Sequence, residues 1–221
     1  MLTNIELEIF KKKYMESLKK PNPLLLIHGI FDTIKIFDKM SRYLKKLGWE
    51  VYSLNLVPNY GIVGLDKLAE QVANYVDKTF PPNQTLDLIG FSMGGIVSRY
   101  YVQRLGGIDK VERFITISSP HNGTLTGYIL SLPAPIQMRP KSAFLEDINQ
   151  DVALLERINF TSIWTPYDTM ILPARSSQLP VGQEIKIDVL LHGWMVSDEK
   201  VFKVIVEELK AECKSKLIRA C

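Results

Sequence analysis

The run Leu86-Asp87-Leu88-Ile89, ending in Gly90-Phe91-Ser92-Met93-Gly94, limits the folds open to this chain more than any other stretch. A largely apolar run of this kind reads as a buried strand, and the G-x-S-x-G that closes it turns the strand sharply into a helix. Ser92 then stands on the corner with its hydroxyl pushed above the sheet edge, as in a nucleophile elbow. Gly90 and Gly94 are required because strand and helix backbones pass too close at such a corner to admit a Cβ. The corner also aims the Met93 backbone N–H, at the start of a helix, towards a reacting centre where it can stabilise a developing oxyanion.

The remaining segments extend the same plan. Leu24 to Ile27 is a fully apolar run ending at His28-Gly29-Ile30-Phe31-Asp32, which reads as strand then loop. A helix is expected from Ile34 to Leu47, closed by Gly48, with a second strand over Trp49 to Leu56. Leu65, Leu68, Val72, Val76 and Phe80 have helical spacing, and Pro81-Pro82 stops that helix. After the elbow come a helix from Met93 to Leu105 and a strand from Val111 to Ser118. About twenty-five irregular residues follow, as a lid, a pocket wall or a plain surface loop. Ser142 to Gln150 reads as helix, Asn159 to Thr165 and Glu184 to Leu191 as strands, and Asp198 to Ile218 as a final amphipathic helix. Strands alternating with helices imply right-handed crossovers. The expected fold is α/β, a three-layer αβα sandwich with a mainly parallel sheet of about six strands.

A chain of 221 residues can bury one substantial core. Residues 23–221 are read as a single domain, and residues 1–22 as an amphipathic helix and linker. That helix has Ile5, Ile9, Phe10 and Leu18 among Glu and Lys; its Lys11-Lys12-Lys13 run could rest on an anionic membrane or be a solvated face of a packed helix. The net charge of +3 gives no reason to expect nucleic-acid binding. No apolar run approaches a membrane span, and no signal-peptide core precedes residue 20. Cys213 and Cys221 are too few for a disulfide framework, so a reducing, cytoplasmic location is expected, with peripheral membrane contact as an addition. Oligomeric state is not legible.

A serine hydroxyl near neutral pH needs an imidazole to take its proton and a carboxylate to orient that imidazole. Three histidines are available. His28 ends the first strand and is expected to shape the adjacent loop; His121 opens the irregular segment. His192 follows the last strand at the sheet edge that carries Ser92, where ligands gather in open α/β sheets, and is the expected base. Asp168, in Tyr167-Asp168-Thr169, lies just past the penultimate strand and is the expected acid. Its rivals Asp147, Asp151, Asp188 and Asp198 fall in or beside other elements. The second oxyanion donor is expected from the loop after the first strand, with the Ile30 N–H first and Phe31 behind it. Ile30, Phe31, Met93, Leu125, Tyr128, Ile129 and Leu130 could line an acyl groove or belong to the core.

With these residues in view, the chain resembles the small bacterial, cyanobacterial-type lipase-like acyl hydrolases of the α/β-hydrolase superfamily. The resemblance is carried by His28-Gly29-Ile30, by Gly90 to Gly95 with Val97-Ser98-Arg99-Tyr100-Tyr101, by Ser118-Ser119-Pro120-His121-Asn122-Gly123-Thr124, and by Tyr167-Asp168 and His192-Gly193. It implies Ser92 as nucleophile, Asp168 as acid, His192 as base, and the Ile30 and Met93 amides as the oxyanion hole. It also implies that His121 is not the base. The expected activity is a cofactor-free, metal-free serine ester hydrolase, a lipase or carboxylesterase acting on lipid or other apolar acyl esters. An acyltransferase using the same triad, a small-molecule carboxylesterase and a catalytically silent binding fold are the alternatives.

Overall fold

In the computed structural model, which describes residues 21–213, six strands form one sheet. They are Leu24–Ile27 (β1), Val51–Leu54 (β2), Leu86–Phe91 (β3), Val111–Ile117 (β4), Asn159–Trp164 (β5) and Gln183–Lys186 (β6). The order is β2-β1-β3-β4-β5-β6 and every pairing is parallel. A parallel sheet needs cover on both faces, and the alternation of side chains along its strands supplies two apolar surfaces. Leu25, Ile27, Leu86, Leu88, Phe114 and Phe160 face one core. Leu24, Leu26, Ile89, Phe91, Ile115 and Ile163 face the other.

Asp38–Lys46 (α1) closes the second core through Met40 and Leu44. Leu65–Thr79 (α2) and Met93–Arg104 (α3) close the first. Pro133–Gln137 (α4) and Ala143–Gln150 (α5) add to that layer, and Glu199–Lys210 (α6) completes the other through Val201, Phe202, Ile205 and Leu209. The result is the three-layer αβα sandwich of an α/β-hydrolase.

Several boundaries differ from the sequence reading. Ile34–Phe37 is a 3-10 turn capped by the Thr33 side chain, and the α-helix begins only at Asp38. β2 is the middle of the expected strand. The last strand stops at Lys186, well short of Leu191, because β5, its neighbour among the described residues, ends at Trp164. Ile187 and Val189 are still buried, which explains the apolar pattern that suggested a longer strand. The irregular segment contains a 3-10 turn, Leu125–Tyr128, and the short α4. The final helix ends at Lys210, and Ala211 is extended. The helix expected at residues 3–19, the stretch 214–218 and Cys221 lie outside the described residues.

Candidate active site

Ser92 follows β3 and immediately precedes α3, with a left-handed φ of +54° that non-glycine residues rarely adopt. The turn is held by Ser92 N–H donating to Ile117 O at 2.8 Å and Gly95 N–H donating to Ser92 O at 3.1 Å. Such a backbone costs about 1–3 kcal/mol and persists where its surroundings over-determine it. A Cβ on Gly90 would collide with the Gly95 backbone, and one on Gly94 with the carbonyls of Ile27 and His28. The first turn of α3 therefore lies hard against the end of β1.

Asp168 follows β5 and His192 opens a 3-10 turn after β6. His192 Nδ1 lies 2.9 Å from Asp168 Oδ2 and 3.0 Å from Oδ1. A carboxylate there requires Nδ1 to carry the donated proton, so the Nε2 lone pair is free to accept one. Asp168 Oδ1 also accepts the Met170 and Ile171 N–H groups, each at 2.9 Å. Burial pushes the Asp168 carboxyl up, but the imidazole and the two amides outweigh it and hold the group below its usual range. The Phe91 ring packs on the imidazole at 4.8 Å between centroids, which brings His192 beside the elbow. A hydrogen bond from Ser92 Oγ to the imidazole is not among the contacts of the described residues.

The loop after β1 meets the elbow from the other side. A Cβ on Gly29 would stand 3.0 Å from Ser92 Cβ and 3.5 Å from Ser92 Oγ. Phe31 N–H, the reserve oxyanion donor, is taken by Asn59 O at 2.8 Å. The Ile30 and Met93 amides have no partner in the backbone hydrogen-bond network of the described residues. The Met93 side chain is fully buried in the first core, so it does not line a groove; Phe31, Leu125, Tyr128, Ile129 and Leu130 are exposed.

His28 is buried, with Nε2 accepting the Leu56 N–H at 3.0 Å and Nδ1 facing Gly29 O at 2.8 Å. Both ring nitrogens therefore hold loops in place, and burial lowers the imidazole's pKa. His121 is fully buried, Nε2 pairs with Thr116 Oγ1 at 3.0 Å, and burial holds the ring far below its usual pKa. Asp147 and Asp151 pair with Arg104, Asp198 caps α6, and Asp188 is exposed.

Thr124 has a structural part that its sequence does not signal. Its Oγ1 donates to Met170 O at 2.9 Å and accepts from Leu172 N–H at 2.9 Å, tying the loop after β4 to the loop that carries Asp168. Asn59 is equally silent in sequence; besides taking Phe31 N–H, its amide donates to Asp32 O. Thr124 belongs to the Ser118 to Thr124 stretch, but in both cases the partners are backbone groups of other loops, which the sequence does not point to.

Among the described residues no helix is long and apolar enough to cross a membrane, and no group of three His, Cys, Asp or Glu could hold a metal ion.

A family model described as palmitoyl protein thioesterase matches residues 23–138. Over 106 residues the chain is 26% identical to lysosomal thioesterase PPT2-B of Xenopus laevis, a match covering 46% of this chain and 36% of that protein. It therefore spans about a third of the length of that relative. Among solved structures, mature Bacillus licheniformis lipase BlEst2 superposes with a TM-score of 0.72 at 14% identity, over 87% of this chain and 93% of that one. Aspergillus fumigatus lipase B superposes at 0.74 and 16% identity, over 87% and 53%. At these identities the structural likeness speaks for the fold alone.

Proposed function

Because the chain belongs to the palmitoyl protein thioesterase family, we propose that it cleaves long apolar acyl esters or thioesters through an acyl-enzyme formed on Ser92. Family and fold together support an acyl-ester hydrolase. The observation that carries the finer reading is the Asp168–His192 pair, closed on Nδ1 and lying beside a strained elbow serine.

In this reading the seated substrate draws Ser92 Oγ and His192 Nε2 into hydrogen-bond reach, since such bonds often tighten only in the complex. Nε2 takes the hydroxyl proton as Oγ bonds to the acyl carbon. The carbonyl oxygen becomes an oxyanion held by the Ile30 and Met93 amides, and Asp168 stabilises the imidazolium. Collapse breaks the bond to the leaving alcohol or thiol, which receives the proton from His192. Water, deprotonated by the same imidazole, then releases the fatty acid and restores Ser92. The acyl chain is assigned to a rim of exposed apolar side chains on the loops that follow β1 and β4, among them Phe31, Tyr128 and Ile129. The same rim would meet a lipid surface.

The test is a series of p-nitrophenyl esters from acetyl to palmitoyl, with a palmitoyl thioester beside them, for wild type and Ser92→Ala. Wild-type kcat/KM should rise with chain length and the variant's kcat should fall by several orders of magnitude. Near-normal turnover in the variant would overturn the nucleophile. Activity confined to acetyl and butyryl would replace the long-chain substrate with a small ester.

A further inference from the structure

One carboxylate at the site has no part in that chemistry. Asp32 sits in the loop after β1, half-buried, with its backbone placed by Asn59 Nδ2 on its carbonyl and by its own N–H to Gly29 O at 3.4 Å. Among the described residues neither of its carboxylate oxygens has a hydrogen bond or an ion pair. A Cβ on Gly29 would stand 3.0 Å from Asp32 Oδ2 and 3.5 Å from Ser92 Oγ, so carboxylate and nucleophile border the same space above Gly29. Burial pushes the Asp32 carboxyl up, while His28 and His192, the titratable groups that act on it, pull it back. A partly dehydrated carboxylate left without a partner is a cost to the folded protein.

The side of the site on which Asp32 lies follows from His192. The imidazole must deliver its proton to the departing alcohol or thiol, so that part of the substrate lies on the imidazole's side. The Asp32 charge reaches His192, and the chain leaving Asp32 enters the same core as Phe91, the ring beneath the imidazole, through Phe37.

We propose that Asp32 is a specificity-determining residue, whose unpaired carboxylate selects acyl esters and thioesters with a cationic nitrogen on the alcohol or thiol, a few bonds from the scissile group. The cation supplies the partner that the protein withholds. The inference rests on the nucleophile and base roles given to Ser92 and His192. A charge pair at such a half-buried site should change kcat/KM about tenfold.

The experiment compares S-decanoylthiocholine with S-(3,3-dimethylbutyl) thiodecanoate, which has the same shape without the charge, in wild type, Asp32→Asn and Ser92→Ala. Wild type should favour the cation about tenfold in kcat/KM, and Asp32→Asn should bring the ratio close to one. A wild-type ratio of one or less overturns the proposal even if the variant does not fold. So does a variant that keeps the wild-type ratio, whatever its absolute rate, since that outcome means Asp32 acts on the imidazolium alike for all substrates. Hydrolysis persisting in Ser92→Ala, or absent from wild type with both thioesters, would instead overturn the proposed function.

Discussion

Asp168 Oδ1 accepts two backbone amides and also faces the imidazole, so one atom both closes a turn and orients the His192 ring. Asparagine at this position can keep the turn with its carbonyl, but its amide would then donate towards Nδ1 and force the proton onto Nε2. The imidazole would hold the wrong tautomer for accepting the serine proton. Asp168→Asn should therefore lower kcat by about 10³- to 10⁴-fold with the fold retained, measurable as turnover against the circular dichroism spectrum. A loss of only a few-fold would mean that another group orients His192. The elbow at Ser92 and the expected approach of His192 to Asp168 follow from residue types and chain order in the sequence. The use of the Phe31 amide by Asn59 does not, because a backbone bond across 28 positions leaves no sequence trace.

Among elements, the loop after β4 shows how a segment without regular structure becomes a brace. Thr124 is buried and its hydroxyl bridges Met170 O and Leu172 N–H on the loop that carries Asp168, while Leu125 N–H donates to Leu172 O at 2.8 Å. Thr124→Val keeps the shape and strands those polar groups, which should cost about 1–3 kcal/mol. For a chain of this size the melting temperature should drop by about 2–10 °C. Turnover should fall several-fold as the Asp168 loop is displaced; unchanged turnover at a lowered melting temperature would separate the brace from the site. Helix and strand positions were readable from apolar spacing, whereas their ends were not. β6 stops where its neighbour stops, and the start of α1 is delayed by a 3-10 turn, both decided by packing partners rather than by local composition.

Across the whole molecule, the sheet edge opposite the site is held by a polar clasp. Asp87 on β3 accepts from Asn22 at 3.1 Å and faces Arg113 on β4 at 3.4 Å, and Arg113 reaches Ala211 O at the end of α6 at 2.6 Å. Burial outweighs these partners and pushes the Asp87 carboxyl up from 3.8 to about 6. Between those values the folded protein holds more protons than the unfolded chain, so this group's contribution to stability is lost as pH rises through the window. The loss is about 3 kcal/mol at most. Melting temperatures from pH 4 to 7 should therefore decline less steeply in Asp87→Asn than in wild type; parallel profiles would mean that Asp87 stays ionised throughout.

The layered α/β plan and the corner on which Ser92 stands are written into the chain locally, through apolar periodicity and the steric demand for glycine at 90 and 94. That His192 closes on Asp168, that His28 is held by the loop at Leu56 and that His121 is held by Thr116 of β4 emerges from folding. The fold also sets Asp32, which has no hydrogen bond or ion pair among the described residues, beside Ser92. Those relations join residues from different strand ends, and they exist only once parallel pairing has brought every carboxyl end to one edge of the sheet.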